Sequence, residues 1–262
     1  MAPPVSFVGL LLALWEWRGR SSTVLPAPSR VARAFWRTKA PLPAHIATTL
    51  TETGWGVLIG VVLGLLIAAL LLMSPLLYRA VQPVLLASQA IPVLVLGPIL
   101  VLVLGFGLGP KIVVVTLVVL FPVAIATSAG LRQADAELLD LVRSYGASSG
   151  QQLRHVLGPA ALPGALAGLR ISLTYAVAGA VIGESIGGTS GLGKYIDRSY
   201  QSFRYDQVLV GVVVVIALSI GLFFAVDVLD RVLCPWRRPS QHTTRIAAAT
   251  IATAVVPPRE SP

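Results

Sequence analysis

The chain alternates between long apolar runs and short polar segments, a pattern typical of a protein that crosses a lipid bilayer several times. A helix needs about 20 apolar residues to cross a hydrocarbon core of about 30 Å. Four runs meet that length: residues 55–73, 81–106, 112–129 and 208–226. A fifth run, residues 163–186, carries several polar groups, and a sixth, residues 5–17, is short. We therefore predict an all-α integral membrane protein, a bundle of five to six transmembrane helices; whether residues 5–17 span fully stays open.

The apolar runs also contain residues that shape helix packing. Glycines recur at every fourth position in two of them: Gly56, Gly60 and Gly64, then Gly179, Gly183 and Gly187. Small residues let helix backbones approach closely inside a membrane. Three prolines also lie within apolar runs, at positions 92, 98 and 122, where each removes a backbone hydrogen bond and favours a kink.

Composition supports the membrane class. Of 262 residues, 55% are hydrophobic and 12% are charged, whereas soluble domains carry about 25% charged residues. Lys and Arg outnumber Asp and Glu by 20 to 11. Beside apolar spans, basic residues contact anionic lipid headgroups and set topology. We therefore expect membrane lipid as a partner and no nucleic acid.

Charge alone does not decide the orientation of the chain. With six spans and a cytoplasmic amino terminus, ten basic residues fall on each side. The basic segment 231–238 after the last span favours a cytoplasmic carboxyl terminus, which makes residues 130–162 cytoplasmic and residues 18–45 external. We divide the chain into a first span with an outer segment (1–45), a transport core (46–236) and a disordered cytoplasmic tail (237–262).

Residues 130–162 form a polar, helix-compatible segment between the fourth and fifth spans. Apolar side chains recur with helical spacing over residues 134–154, interrupted by the sequence GASSG from Gly146 onward. Because glycine costs about 1 kcal/mol in a helix interior, we predict two short helices joined by a bend. Tyr145, Gly146 and Ala147 then form an outward knob that fits a groove on a partner. The alternative is an ordinary amphipathic interfacial loop.

This segment resembles the EAA loop of bacterial ABC importer permeases, the coupling helix that docks into the ATPase subunit. The family pattern is EAA, three residues, Gly, nine residues and I-x-L-P. Aligned on Gly146, Asp140 and Val156 are mild changes from that pattern, whereas Leu141, Val142 and Gly158 depart from it. The resemblance implies a docking surface of eight residues: Asp140, Leu141, Val142, Tyr145, Gly146, Ala147, Val156 and Pro159.

The resemblance extends along most of the chain. Five segments are similar in order to permeases of the nitrate, sulfonate and taurine type: residues 25–31, 105–109, 121–122, 161–164 and 190–193. Residues 89–92 (QAIP) and 168–184 most resemble the branch that imports the pyrimidine precursor of thiamine. The solute stays open between such a pyrimidine and a sulfonate, nitrate, taurine or other heterocycle.

The resemblance implies a permease subunit of an ABC importer in the bacterial plasma membrane, moving a small organic solute inward. Its partners would be ATP-binding cassette ATPase subunits, an extracytoplasmic solute-binding protein and a second permease copy, in a homodimer or a heterodimer. ATP and Mg²⁺ would bind to the ATPase, so we expect no cofactor and no catalytic residue in this chain. The alternatives are a standalone secondary transporter, for which no internal repeat is evident, and a membrane-embedded enzyme, for which the spans lack a catalytic set.

Residues 188–194 (GTSGLGK) imitate a phosphate-binding loop. Tyr195 follows where that motif requires Ser or Thr, and no strand precedes the segment. We predict instead a turn at the outer end of the fifth span. The chain has a single cysteine, Cys234, and three scattered histidines, so no metal site is expected.

Polar residues inside the spans are candidates for a translocation path: Gln89, Thr174, Tyr175 and Glu184. A carboxylate in hydrocarbon must face the bundle interior, a pore or the interface, so Glu184 lies either on the path or in a structural pair. We expect Arg170 to extend toward the cytoplasmic face. Asp227 and Asp230 are expected to cluster with Arg231.

Overall fold

The computed structural model describes residues 2–22 and 24–237. The predicted disordered tail therefore lies outside the described residues, apart from Arg237. The α-helices are α1 (Ala2–Gly19), α2 (Pro28–Thr38), α3 (Leu42–Met73), α4 (Pro75–Ser88), α5 (Val93–Leu104), α6 (Leu108–Arg132), α7 (Ala136–Ser144), α8 (Ser149–Gln152), α9 (Gly158–Gly187), α10 (Leu192–Gln201) and α11 (Tyr205–Leu233). A π-helical turn, Leu153–Leu157, joins α8 to α9.

Within residues 2–22 and 24–237, four helices are long and apolar enough to cross a membrane: α3, α6, the continuous helix Ser149–Gly187 and α11. They correspond to four of the predicted spans and extend beyond them, since α3 begins at Leu42 and α11 ends at Leu233. The remaining two predicted spans correspond to α1 and to the α4–α5 pair. The described residues thus give an all-helical membrane protein, as predicted.

The predicted span 81–106 is divided into two helices at Pro92, one of the prolines expected to kink it. Helix α4 ends at Ser88 and α5 begins at Val93. Pro92 stands at the break with extended geometry, φ −67° and ψ 119°. A proline has no N–H for the preceding turn and disfavours helical geometry in the residue before it. The apolar run is therefore divided into two half-length helices, whereas Pro98 and Pro122 remain inside continuous helices.

The core of the bundle is α6, packed between α3 and α9. Val115, Val119 and Val123 of α6 are fully buried against both neighbours. On the α3 side they meet the predicted glycine stripe: a Cβ placed on Gly60 would lie 2.8 Å from Cβ of Val119, closer than real side chains come. Helices α3 and α6 therefore lie so close together that glycine is required on this face of α3.

The two ends of the bundle differ in what they carry. At one end, here called the docking end, α6 leads into α7 and α8. At the opposite, outer end, α2 and α10 pack over the start of α11, and the hydroxyl oxygens of Thr38 and Tyr195 are 3.1 Å apart. Helix α2 and the start of α3 therefore lie at the end opposite the docking loop, as the predicted topology requires.

Replacing Gly60 with alanine should destabilise the bundle by about 1–3 kcal/mol, because the added methyl overpacks against Val119. Gly54→Ala is the matched control, since it lies on the same helix with nothing within 4 Å of the added Cβ. The midpoint of thermal unfolding in detergent measures both. Equal midpoints for the two variants would contradict the close α3–α6 packing.

Candidate functional sites: a docking loop and two cavities

The loop between α6 and α9 forms two short capped helices joined at Gly146, as predicted. Asp135 caps α7 by accepting hydrogen bonds from the backbone N–H of Glu137 (2.9 Å) and Leu138 (3.3 Å). Gly146 then turns the chain with a φ of +79°, a left-handed conformation that glycine adopts without strain. The N–H of Ala147 closes this turn on the carbonyl of Val142 at 3.0 Å.

Helix α8 is fixed to this turn by a capping box. The side chain of Ser148 accepts from the N–H of Gln151 (3.4 Å), and the side chain of Gln151 accepts from the N–H of Ser148 (2.8 Å). The amide of Gln152 donates to the carbonyl of Ala147 at 2.9 Å. These contacts make the bend a rigid knob with its own hydrogen bonds.

The knob exposes apolar surface. Tyr145 is 82% exposed and Leu141 is 51% exposed. A shallow groove of about 320 Å³ follows the bend, lined by Val142, Tyr145, Gly146, Ala147, Gln151 and His155. Large apolar groups in such a position are typical of an interaction surface.

The first and last residues of the predicted docking surface differ in their exposure. Asp140 is exposed and pairs with Arg143 at 3.1 Å. Pro159 is half-buried in the first turn of α9. Val156 is only 6% exposed, in the π-helical turn. Because a buried side chain offers no surface to a partner, Val156 is corrected to a packing residue at the base of the loop.

A charged cluster links α9 to α11 on the docking side. The guanidinium of Arg170 donates to Asp227 at 2.8 Å and lies 3.5 Å from Asp230, while Arg231 donates to Asp227 at 2.6 Å. The guanidinium also lies 5.4 Å from the ring centre of Phe223. Arg170 thus extends toward the docking side, and its charge is matched there by the predicted cluster of Asp227, Asp230 and Arg231.

A central cavity of about 360 Å³ opens beside the break between α4 and α5. Its wall is mostly apolar, formed by α6 and α9, with Gln89 and Tyr175 among its few polar groups. Thr174, on the same helix as Tyr175, is not among the lining residues, and its hydroxyl donates to the carbonyl of Arg170 at 3.2 Å. Of the four candidate path residues, the structure thus brings together Gln89 and Tyr175.

Glu184 is fully buried and holds the connection between α9 and α10. Its carboxylate accepts hydrogen bonds from the hydroxyl of Thr49 (2.7 Å) and from the N–H of Gly193 (2.6 Å). The hydroxyl of Thr49 accepts from the N–H of Leu192 at 3.0 Å. We call this set the Glu184 latch. Its contacts favour the structural pair over the path as the role of Glu184.

The latch explains the sequence at residues 188–194. Gly191 has a φ of +102°, and a Cβ there would overlap the carboxylate of Glu184. Its N–H donates to Nδ1 of His45 at 3.1 Å. The glycines therefore form the predicted turn around a buried carboxylate, and α10 begins directly after it at Leu192.

A buried ion pair that is absent from the predicted site residues lies beside the latch. Nζ of Lys111 donates to Oε1 of Glu52 at 2.6 Å, and both side chains are at most 5% exposed. Glu52 precedes the predicted span 55–73 and Lys111 precedes the predicted span 112–129, so neither was a candidate residue inside a span. The missed signal was periodicity, because Glu52 lies one turn before Gly56 on the buried face of α3.

An outer cavity of about 530 Å³ lies above this pair, between the α5–α6 and α9–α10 connections. Glu52 and Lys111 line it together with Thr189, Ser190 and Lys194. Among the described residues, no group of three or more His, Cys, Asp or Glu side chains is arranged to hold a metal ion.

Comparison with known proteins identifies the class of this architecture. A chain of the structure described as inward-facing conformations of the MetNI methionine ABC transporter is similar over 73% of this chain and 95% of its own, with a TM-score of 0.63 and 27% identity. Residues 60–239 match the family described as binding-protein-dependent transport system inner membrane component. The chain belongs to this family and is the permease subunit of an ABC importer in the plasma membrane; ATP hydrolysis is carried out by a separate ATPase.

Two curated relatives are named for the transport of different solutes. The formylaminopyrimidine transport permease protein ThiX of Halalkalibacterium halodurans is 33% identical over 90% of this chain and 96% of its own length. The putative aliphatic sulfonates transport permease protein SsuC of Bacillus subtilis is 32% identical over 87% of this chain and 85% of its own. Overall sequence identity therefore identifies the class of transporter but does not distinguish between these solutes. The solute class has to be argued from the chemistry of the cavities.

Replacing Glu184 with alanine should destabilise the outer end by about 1–3 kcal/mol, because it leaves the buried N–H of Gly193 without an acceptor. Ser185→Ala is the control, since the Ser185 hydroxyl is exposed and bonds only to the carbonyl of Val181 on its own helix. Limited proteolysis should cut the Glu184 variant faster within residues 188–191. Equal cutting rates for both variants would contradict the latch.

Proposed function

We propose that this permease imports a small pyrimidine-type heterocycle, a precursor of thiamine, as a homodimer that docks two ATPase subunits through the α7–α8 loop. The observation that carries the docking part is the exposed knob around Gly146. It is rigid, it presents Tyr145 and Leu141 to the surroundings, and it is continuous with a long rod through the bundle. The resemblance of its sequence to the EAA loop supports the same assignment.

The docking loop is continuous with a long helix that crosses the bundle. Helix α8, the π-helical turn and α9 form one uninterrupted helix, Ser149–Gly187. The ion pairs of Arg170 attach α11 to this rod. A displacement of the loop by ATP-driven closure of the ATPases therefore moves α9 and α11 together. Such a rigid-body movement switches a permease between inward-open and outward-open states.

The central cavity supports a flat, largely apolar solute with a few hydrogen-bonding groups. Its volume of about 360 Å³ lies within the range of small-molecule sites, which combine apolar walls with a few polar groups. Gln89 offers an amide that both donates and accepts, and Tyr175 offers a phenol. Neither side chain carries the positive charge that an alkanesulfonate would require for tight pairing. The relative named for formylaminopyrimidine transport supports the same class.

The alternative solute is a sulfonate, supported by the relative named for aliphatic sulfonate transport. Solute choice in such importers also depends on the binding protein, so both classes must be compared in the assembled system.

Replacing Gly146 with aspartate should weaken the complex with the ATPase at least about tenfold, equivalent to about 1.4 kcal/mol. The substitution strains the left-handed backbone and adds a charge beside Tyr145. Gly150→Asp is the matched control: it adds the same charge in the first turn of α8, where an acidic residue suits the helix. Co-purification with the ATPase in detergent measures both. An intact complex with the Gly146 variant would refute the proposed contact.

Proteoliposomes containing the importer and its binding protein should accumulate radiolabelled formylaminopyrimidine, and not ethanesulfonate, when ATP is supplied. Tyr175→Ala should reduce uptake about tenfold, because a hydrogen bond and a stacking surface contribute about 1–2 kcal/mol together. Thr174→Ala, on the same helix and outside the cavity lining, should transport normally. Uptake of ethanesulfonate alone would refute the pyrimidine assignment while leaving the permease class intact.

A further inference from the structure

The outer cavity has a charged floor that the proposed central site does not use. Glu52 and Lys111 form the floor and are almost completely buried, whereas Phe106 at the rim is 83% exposed. The cavity volume of about 530 Å³ is within the range that accommodates a small solute. The cavity opens at the end of the bundle opposite the docking loop, where a solute arrives from outside.

The floor has an unsatisfied acceptor. Lys111 bonds to Oε1 of Glu52, while Oε2 of Glu52 is buried and receives no hydrogen bond from an N–H or alcohol O–H group among the described residues. A buried acceptor left without a donor costs about 1–3 kcal/mol, and more when it is charged. A ligand that donates a hydrogen bond at this position would recover that cost.

The lysines of the cavity are paired. Lys111 donates to Oε1 of Glu52 at 2.6 Å, and Lys194, at the side of the cavity, is paired with Asp197 at 3.0 Å. The hydrogen bond from Lys194 lowers the pKa of the Asp197 carboxyl. The described lining residues therefore present no unpaired lysine to an anion, and the acceptor Oε2 of Glu52 favours a ligand with an N–H or O–H donor.

The outer cavity also adjoins the central one. Ile182 lines the central cavity and Ile186 lines the outer cavity. These residues lie one turn apart on α9, about 6 Å along the helix axis. On α6, Lys111 lines the outer cavity and Leu117 the central one. The two cavities thus follow the same pair of helices.

We propose that the outer cavity is a second solute site, which receives a neutral or singly cationic solute by accepting its N–H or O–H group at Oε2 of Glu52. This inference rests on the proposed function and narrows its substrate class, because an amino-substituted heterocycle satisfies the floor and a plain sulfonate or nitrate does not. Thr189 and Ser190 supply hydroxyl groups at the side of the same cavity. The solute then passes along α6 and α9 to Gln89 and Tyr175.

Alkylation of a cysteine at the cavity rim tests this site. In the assembled importer with Cys234→Ser, Phe106→Cys places an exposed thiol at the rim, and its reaction with a maleimide is timed. With formylaminopyrimidine at about ten times its Kd, about one tenth of the sites stay open, so alkylation should slow about tenfold. Ethanesulfonate at the same concentration should leave the rate unchanged.

Two variants locate the effect. Glu52→Gln combined with Lys111→Met removes both members of the ion pair, so no lone buried charge remains, and it should abolish protection by formylaminopyrimidine. Tyr175→Ala should preserve protection, since it alters only the central cavity. Protection that survives loss of the ion pair, or equal protection by ethanesulfonate, would overturn the proposal. Uptake of formylaminopyrimidine without any protection would overturn it as well, whereas absence of uptake would refute the proposed solute itself.

Discussion

The close approach of α3, α6 and α9 is the constraint on which the rest of the structure depends. Lipid tails are as apolar as leucine, so helices in a membrane associate through contact and hydrogen bonding. The glycine stripe of α3 brings its backbone against the valines of α6. The same approach buries Glu52 beside Lys111 and places Thr49 beside Glu184. The ammonium of Lys111 and the hydroxyl of Thr49 stabilise the two buried carboxyl groups by donating hydrogen bonds to them.

Helix α9 connects the docking loop, both cavities and the Glu184 latch. One end continues through the π-helical turn into α8 and the docking loop, and the other end is held by the Glu184 latch. Along its length it forms walls of both cavities. Under the proposed docking, a loop displaced by an ATPase would act directly on the walls of both cavities. Because the latch fixes the α9–α10 connection at the outer end, movement at the docking end would be transmitted along α9. This is the physical basis for proposing one continuous transport pathway.

Much of this architecture could be predicted from the sequence, because apolar periodicity and glycine spacing report helix packing directly. The bend at Gly146 followed from the same kind of reasoning. Three features could not be found that way. Sequence alone does not tell which of the three prolines ends its helix, since Pro92 does so and Pro98 and Pro122 leave their helices continuous. The Glu52–Lys111 pair joins residues 59 positions apart, and both lie just outside the predicted spans 55–73 and 112–129. Val156 is buried in the π-helical turn, and no local sequence motif predicts that turn.

The central claim is that the docking loop and α9 move as one rigid unit. Spin labels on Ser149→Cys and Thr174→Cys, in a Cys234→Ser background, measure it by pulsed electron resonance in the importer assembled in nanodiscs. Both positions are exposed, and 25 residues of helix separate them by about 37 Å. The account predicts the same intramolecular distance with and without bound ATP, while the distance between the Thr174 positions of two permease copies changes. An intramolecular distance that shifts on ATP binding would show bending at the π-helical turn and contradict the account.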